Sequence, residues 1–125
     1  KRAKDNCLAS SIVKDIYEKT EDKRIIILDN NYSWRKILVN YPEPLFVISP
    51  KLNDTWSIDT VVKPNEKFLR RMYFPKSWAG KIDGDLEKVS GVKGSVFCHN
   101  DRFIAISKTK EGAIELAQKA IASYN

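Results

Sequence analysis

The sequence predicts an α+β fold, in which a mixed β-sheet of about five strands carries N- and C-terminal helices packed on it within a single domain. Apolar residues recur at helical spacing near both ends of the chain, over Asp5–Thr20 and over Ala113–Tyr124. Between them, short runs rich in β-branched residues and bounded by turn residues indicate strands. At 125 residues the chain is long enough for one hydrophobic core and too short for two ordinary domains.

Four helices are expected. The first covers Asp5–Thr20, and the last begins after Thr109, which suits an N-cap because Glu111 follows in the first turn, where it complements the helix dipole. Ser33 is expected to cap a short helix before the prolines of YPEP end it. A further short helix is predicted over Asp83–Val89, followed by glycines that mark a turn.

Five strands are predicted, the last two as a tight hairpin. Residues 100–101 form a two-residue loop of Asn and Asp, which tolerate positive φ. That loop length places His99 opposite Arg102 and Phe97 opposite Ile104, and both faces of the hairpin are expected to be covered. The predicted strands are Ile25–Leu28, Leu45–Ser49, Trp56–Val62, Ser95–His99 and Arg102–Ile106.

The charge of the chain favours phosphate-bearing partners. Lys and Arg number 22 against 16 Asp and Glu, which gives a net charge of +6. A basic surplus that only serves solubility is the alternative. No apolar run approaches the roughly 20 residues of a membrane span and no signal peptide is recognisable, so we expect an intracellular protein without a membrane partner.

No motif of a self-sufficient enzyme is present: the sequence lacks G-x-S-x-G, a P-loop and H-E-x-x-H. Cys7, Cys98 and the single histidine, His99, are too few for a zinc site, and both thiols are expected to be reduced and mostly buried. The acidic residues between positions 83 and 87 are interpreted as a solvated helix start rather than a metal site. We therefore expect no catalytic residue, metal or cofactor in this chain.

A group of cations is the candidate phosphate-binding surface. Lys108 and Lys110 flank Thr109 at a helix start, where free N–H groups attract anions, and the hairpin tip adds two more basic side chains. KFLRRMYF interleaves cations with aromatics, as in grooves for single strands, within the segment 63–80, which has no clean period and is predicted to be an ordered loop. An ordinary basic surface above core aromatics is the alternative. The candidate substrate-binding residues are Arg71, His99, Arg102, Lys108, Thr109 and Lys110.

The second half of the chain resembles the C-terminal half of the melanocyte-proliferating-gene-one proteins. The matching elements are F-P-x-x-W-x-G from Phe74, D-x-x-L-x-x-V-S-G from Asp83 and T-x-E-G-A-x-x-x-A from Thr109. The similarity covers the stretch from Phe74 to Ala117 and extends more faintly back to SWRKIL, whose Trp34 matches a family tryptophan.

The resemblance implies that residues 1–125 are a C-terminal substrate-binding domain, inactive alone, whose N-terminal metal-binding catalytic domain is not part of this chain. The family is similar to the DHH phosphoesterases, and its members are regarded as 3′–5′ RNA exonucleases of mitochondria and nucleus that use manganese or magnesium. The implied partners are single-stranded RNA, or another phosphate-bearing substrate, and that N-terminal domain. A stand-alone basic module that binds nucleic acid or protein, without enzymatic activity, is the alternative.

The resemblance also assigns residues. His99 matches a family histidine at the end of its strand, and Arg71 matches a family arginine. Lys108 and Lys110 stand where the family usually has arginines, which keeps the charge but loses the bidentate fork. The family's F-I-G-G-H is FIAIS here, without the glycines and the histidine. We therefore expect substrate binding to be weaker than in the family, altered or lost.

Two tryptophans are predicted to be large core side chains. Trp78 anchors a loop and Trp56 lies in an alternating strand, and aromatic residues in such places contribute most as packing. Truncating either to alanine is expected to cost about 3–5 kcal/mol of stability.

Overall fold

The computed structural model describes residues 2–30, 32–51, 54–63 and 66–123, with side chains described for 11–30, 32–51, 54–63 and 69–123. The expectations for the side chains of Cys7, Lys67, Phe68 and Tyr124 lie outside this description. The elements are α1 (Arg2–Lys19), β1 (Ile25–Ile27), α2 (Arg35–Leu38), β2 (Phe46–Pro50), β3 (Trp56–Thr60), β4 (Val62–Lys63), β5 (Glu66–Arg70), a 3-10 helix (Lys76–Trp78), α3 (Asp83–Ser90), β6 (Ser95–Cys98), β7 (Ile104–Ser107) and α4 (Lys110–Ser123).

The main sheet has five strands in the order β1-β2-β3-β7-β6. β1 runs parallel to β2, and the other neighbours are antiparallel. The sheet is therefore mixed, with helices packed on it, and the predicted α+β fold is confirmed.

The segment 63–80 is not the single loop that the sequence predicted. β5 pairs with β4 in a separate two-stranded ribbon, and a 3-10 helix follows. The strand is held by backbone pairing with Val62 and Lys63. A strand of five residues with few apolar side chains is too short for a periodic pattern, which is why none was visible.

One face of the sheet carries the larger core. Phe46, Ile48 and Ile58 from the central strands pack with Phe74, Trp78 and the apolar side of α4, all of them buried. Leu86 of α3 joins this core, and the last turn of α3 ends at Gly91 with φ 74°, as the predicted turn requires. The helices α3 and α4 thus both cover this face of the sheet.

The second face is covered unevenly. Over β1 and β2, Val13 and Tyr17 of α1 and Trp34 beside α2 form a smaller buried cluster with Ile26 and Val47. Cross-strand pairing places Asp59 and Ile104 in the same row as Val47, and Phe97 in the next row with Ile106. Phe97, Ile104 and Ile106 are only half-buried, so the expectation that the β6–β7 hairpin is covered on both sides is wrong for this face.

The β6–β7 connection is longer than predicted, because it spans five residues between Cys98 and Ile104. Phe97 pairs with Ile106 rather than with Ile104, and Arg102, not residue 100 or 101, has positive φ at 63°. At Phe97 the shift is by two residues, which is one full side-chain repeat, so Phe97 still shares a face with Ile104 and Ile106 although the register was wrong. An irregularity between Ser95 and Phe97 pairs Ser95 with Ser107, so the predicted alternation does not hold at Ser95.

Two smaller expectations are also wrong. Ser33 does not cap α2: Trp34 occupies the N-cap position without a side-chain hydrogen bond, and its carbonyl accepts from the amides of Ile37 and Leu38. Trp56 is half-buried, because it begins β3 at the end of the sheet, opposite Pro50 and Ser107. Trp78 is 3% exposed, as predicted.

Candidate functional site

His99 lies on the open side of the hairpin among aromatic rings. Its ring centroid is 4.6 Å from that of Phe103 and 6.1 Å from that of Phe97. Its Nδ1 accepts a hydrogen bond from the amide of Asp101 at 3.0 Å, which leaves Nε2 as the donor nitrogen of the neutral ring. The side chain is 39% exposed, so a ligand can reach it.

Arg102 is next to His99 through the backbone but contacts another part of the fold. Its amide donates to the His99 carbonyl at 2.9 Å, whereas its guanidinium lies 5.4 Å from the ring centroid of Tyr73 and donates to the carbonyl of Phe74. There it borders an open cavity of about 400 Å³ beside Lys76 and the end of α4. The two side chains predicted at the hairpin tip therefore lie in different surroundings, His99 beside Phe103 and Arg102 beside Tyr73.

Cys98 lies beneath this tip in the main core. It is fully buried and free, and burial raises the pKa of its thiol to about 12, partly offset by the charge of Arg102. The predicted reduced, buried thiol is confirmed for Cys98. A thiol with such a pKa stays protonated at neutral pH and is a poor nucleophile.

Lys108, Thr109 and Lys110 lie at the other end of β7 from the hairpin tip. Thr109 is the predicted cap, since its Oγ1 accepts from the amide of Gly112 at 3.0 Å. The three residues are exposed, and the amide of Lys108 donates to the Gly94 carbonyl. Four strand residues, roughly 13 Å at about 3.3 Å each, separate them from the tip. The structure therefore does not bring these lysines and His99 into one cluster.

The guanidinium of Arg71 is engaged in hydrogen bonds within the protein. It donates to the carbonyl oxygens of Pro44 at 2.8 Å and Val39 at 3.0 Å, and the Arg71 amide donates to Val61. Burial lowers the pKa of this guanidinium from its usual value. These bonds tie the segment after β5 to the connection between α2 and β2, where free carbonyls need donors.

The neighbouring Arg70 belongs to the basic and aromatic segment KFLRRMYF that the sequence indicated, but it was not among the candidate substrate-binding residues. Its guanidinium lies 4.9 Å from the ring centroid of Phe103. Phe74 of the same segment is fully buried, which agrees with the alternative of core aromatics rather than with a stacking platform at this position. KFLRRMYF does alternate cations and aromatics, but only the pairing of distant segments shows which ring meets which cation.

The sequence did not indicate that Asp59 would be a buried carboxyl group. Its Oδ1 lies 3.5 Å from Arg35 Nη2, and its Oδ2 accepts from the Ser57 hydroxyl. Burial raises the pKa of this carboxyl, against the opposing charges of Arg35, Lys51 and Arg70. The sequence signal that could have indicated it is an acidic residue within a predicted central strand, where side chains are mostly apolar.

Asp59→Asn is expected to change how stability depends on pH. Because the folded pKa lies above the unfolded value, the folded state binds the extra proton, and the contribution of Asp59 to stability falls as pH rises from the ordinary Asp value through the raised one. The wild-type free energy of unfolding, minus that of the variant, should therefore decrease over this interval. Denaturant titrations from pH 3.5 to 7 measure it, and an increase with pH would contradict the assignment.

The acidic residues of α3 behave as a solvated helix start. Asp83 and Asp85 are exposed, and Glu87 accepts a hydrogen bond from the amide of Gly94 at 2.8 Å. Within the part of the chain that the structure describes, no three His, Cys, Asp or Glu side chains gather in a group that could hold a metal ion. In the same residues, no helix is long and apolar enough to cross a membrane.

The motif residues found in the sequence serve the fold. Phe74 and Trp78 stack in the main core, with ring centroids 5.8 Å apart. Gly91 takes the left-handed conformation that ends α3, and Gly112 lets the start of α4 approach Ser107 closely. The residues that the motifs specify therefore serve mainly packing and turns, whereas Lys110 occupies an unspecified position of the last motif and the rings of the hairpin lie outside the motifs.

Residues 1–121 match the MYG1 exonuclease family model, described as "Uncharacterised protein family (UPF0160)". The chain is 31% identical to the MYG1 protein of Dictyostelium discoideum over 122 residues, which cover 89% of this chain and 37% of that protein. It is 40% identical to the MYG1 protein C27H6.8 of Caenorhabditis elegans, over 60% of this chain and 22% of that protein. It is 36% identical to the MYG1 exonuclease of Homo sapiens, over 62% of this chain and 20% of that protein.

The chain thus spans about a third or less of the curated relatives that it matches. The family match begins at the first residue, whereas the sequence motifs indicated a clear similarity only from Phe74. Because the family model covers nearly its whole length, the chain belongs to the MYG1 family, a nuclease family, as the resemblance to the melanocyte-proliferating-gene-one proteins predicted.

Proposed function

We propose that this chain is the substrate-binding domain of a metal-dependent phosphoesterase, a 3′–5′ RNA exonuclease, and that it is not catalytic alone. The observation that carries the proposal is the exposed pair Lys108 and Lys110 on either side of the capped helix start, in a chain of net charge +6. The relatives named exonucleases support it, as does the small share of each that this chain spans. Manganese or magnesium would be held by an N-terminal domain, and the protein would work inside the cell.

The helix start of α4 suits a nucleic-acid backbone for a physical reason. Thr109 satisfies the amide of Gly112, and the remaining first-turn amides and the helix dipole favour negative charge. Two lysines beside them add charge that a phosphate can meet without burial. The Ala105–Ser107 stretch of β7 lies within the sheet, so a phosphate would contact the exposed residues beyond it rather than the strand backbone.

Replacing Lys108 and Lys110 with Glu is expected to weaken binding of single-stranded RNA and to flatten its salt dependence. Each lost phosphate contact should reduce the slope of log K against log salt by about 0.7, so both together remove about 1.4. Fluorescence anisotropy with a 12-nucleotide RNA at 50–200 mM salt measures this. Added Mn²⁺ should leave the RNA intact, because the chain alone is expected not to cleave.

The matched control is Lys14→Glu with Lys36→Glu, which lowers the net charge equally at exposed positions of α1 and α2. If this control loses as much affinity, only the overall charge matters and the lysines of α4 have no special role. Unchanged binding in the Lys108 and Lys110 variant would mean that the cluster is merely solvated. Cleavage abolished by mutating Asp83 and Asp85 together would contradict the non-catalytic assignment.

A further inference from the structure

An unbroken series of cation and ring contacts follows the open end of the β6–β7 hairpin. Arg70 lies over Phe103, Phe103 contacts His99 at an angle of 47°, and His99 meets Phe97 edge to face at 88°. The three ring residues and Arg70 are half-buried, so each keeps accessible surface. We call this group the ring platform.

The platform lies on the face of the sheet that is only partly covered. Phe97 pairs with Ile106 on one side and bridges Ile82 on the other, so their side chains share this face. Ile82 is 53% exposed, and Ile104 and Ile106 are half-buried. An apolar surface therefore extends from Phe97 on β6 to Ile106 on one side and to Ile82 on the other.

The rings are already held in place before any ligand arrives. Their mutual contacts and the Asp101–His99 hydrogen bond restrict the rotamers, which reduces the ordering cost of binding. The ring planes differ in direction, so the platform offers separate ring surfaces rather than one flat ladder. Arg70 at one end supplies charge, and His99 Nε2 supplies a hydrogen-bond donor.

We propose that the ring platform stacks unpaired bases of a single-stranded nucleic acid. This inference rests on the proposed function and adds a second contact region to it, at the opposite end of β7 from Lys108 and Lys110. Every base has a π-face, so aromatic residues on an open sheet bind single strands with little regard to sequence. A purely apolar protein partner would leave the flanking Arg70 and the donor of His99 without a role.

The test compares a 12-nucleotide RNA of adenosines with the same RNA carrying abasic sites at its central four positions. Both have the same phosphates, so only base contacts distinguish them. The wild-type chain should bind the abasic RNA about 5- to 150-fold more weakly, the range given by loss of one stacked base. A 2-aminopurine at a central position should lose fluorescence on binding.

Phe97→Leu and Phe103→Leu keep apolar volume but remove the ring, and each should reduce this discrimination and the fluorescence loss. Tryptophan at either position should restore both readouts. The matched control is Val89→Ala, which removes an apolar side chain that is 41% exposed on α3 and should change neither. Circular dichroism checks that each variant is folded. If a variant is unfolded, the affinities of the wild-type chain for intact and abasic RNA still test the proposal.

Equal wild-type affinity for intact and abasic RNA would overturn the ring platform while leaving phosphate binding, and so the proposed function, in place. Failure of the wild-type chain to bind either RNA would overturn both proposals. Discrimination that persists in both leucine variants would place the base contacts elsewhere and overturn this assignment.

Discussion

Replacing Trp78 with alanine is expected to lower the free energy of unfolding by about 3–5 kcal/mol, the range for truncating a large aromatic in a core. Trp78 is 3% exposed and stacks with Phe74, whose ring is 5.0 Å from that of Phe46 on β2. The side chain thus links the 3-10 helix to the sheet through two further rings. Alanine would leave a cavity that neither the sheet nor α3 can fill without moving.

Urea unfolding followed by circular dichroism measures this effect, because the signal does not depend on the number of tryptophans. Trp56→Ala is the matched control: the same atoms are removed from a half-buried position at the end of the sheet, so the loss should be clearly smaller. Trp78→Phe should recover part of the loss. Equal losses at the two positions would contradict the assignment of core and periphery.

The difference between the two tryptophans shows what a sequence pattern can predict. Alternation placed Trp56 on the correct side of its strand, toward the core that contains Ile58. The predicted start of the strand at Trp56 was correct, but the pattern could not show that this start lies at the margin of the core. Side-chain direction follows from local geometry, whereas depth depends on where the neighbouring elements end.

The prediction of the β6–β7 hairpin was also correct for local features and wrong for a feature that depends on distant residues. Its two strands were predicted from short runs of β-branched and aromatic residues, and the shared face of Phe97, Ile104 and Ile106 was predicted from their alternation with Cys98 and Ala105. Its register was not, because Arg102 takes the left-handed conformation, which its residue type disfavours. The bonds from the Arg102 amide to His99 and from the Phe74 amide to the Arg102 carbonyl hold that backbone. The second of these comes from a segment 28 positions away.

The candidate site was predictable in part for a related reason. Thr109 as a cap, with lysines on both sides, depends on neighbours in sequence and was found. The contact of Arg70 with Phe103 and that of Arg35 with Asp59 join separate segments and were not. Arg71, matched by resemblance, is bonded to the carbonyls of Pro44 and Val39, so a matching residue type alone does not establish a substrate contact.

Gly112→Ala is expected to destabilise the chain by about 1–3 kcal/mol, the usual cost of overpacking. A Cβ at this position would clash with Ser107 Oγ and would lie 3.0 Å from Thr109 Oγ1 and 3.4 Å from the carbonyl oxygen of Lys93. Ser107 is fully buried, so its side chain has little room to move away. The start of α4 would have to shift away from the end of β7, and the Thr109 cap would be strained.

Gly84→Ala is the matched control, because it makes the same change in α3 at a position where no atom lies within 4 Å of the new Cβ. Alanine there should be neutral or stabilise by up to about 1 kcal/mol through helix propensity. Opposite signs for the two variants in urea unfolding are the expected result. If Gly112→Ala also stabilises, the close approach of α4 to β7 is not a constraint. The Gly112 variant should also weaken RNA binding if the helix start contacts phosphate, whereas the Gly84 variant should not.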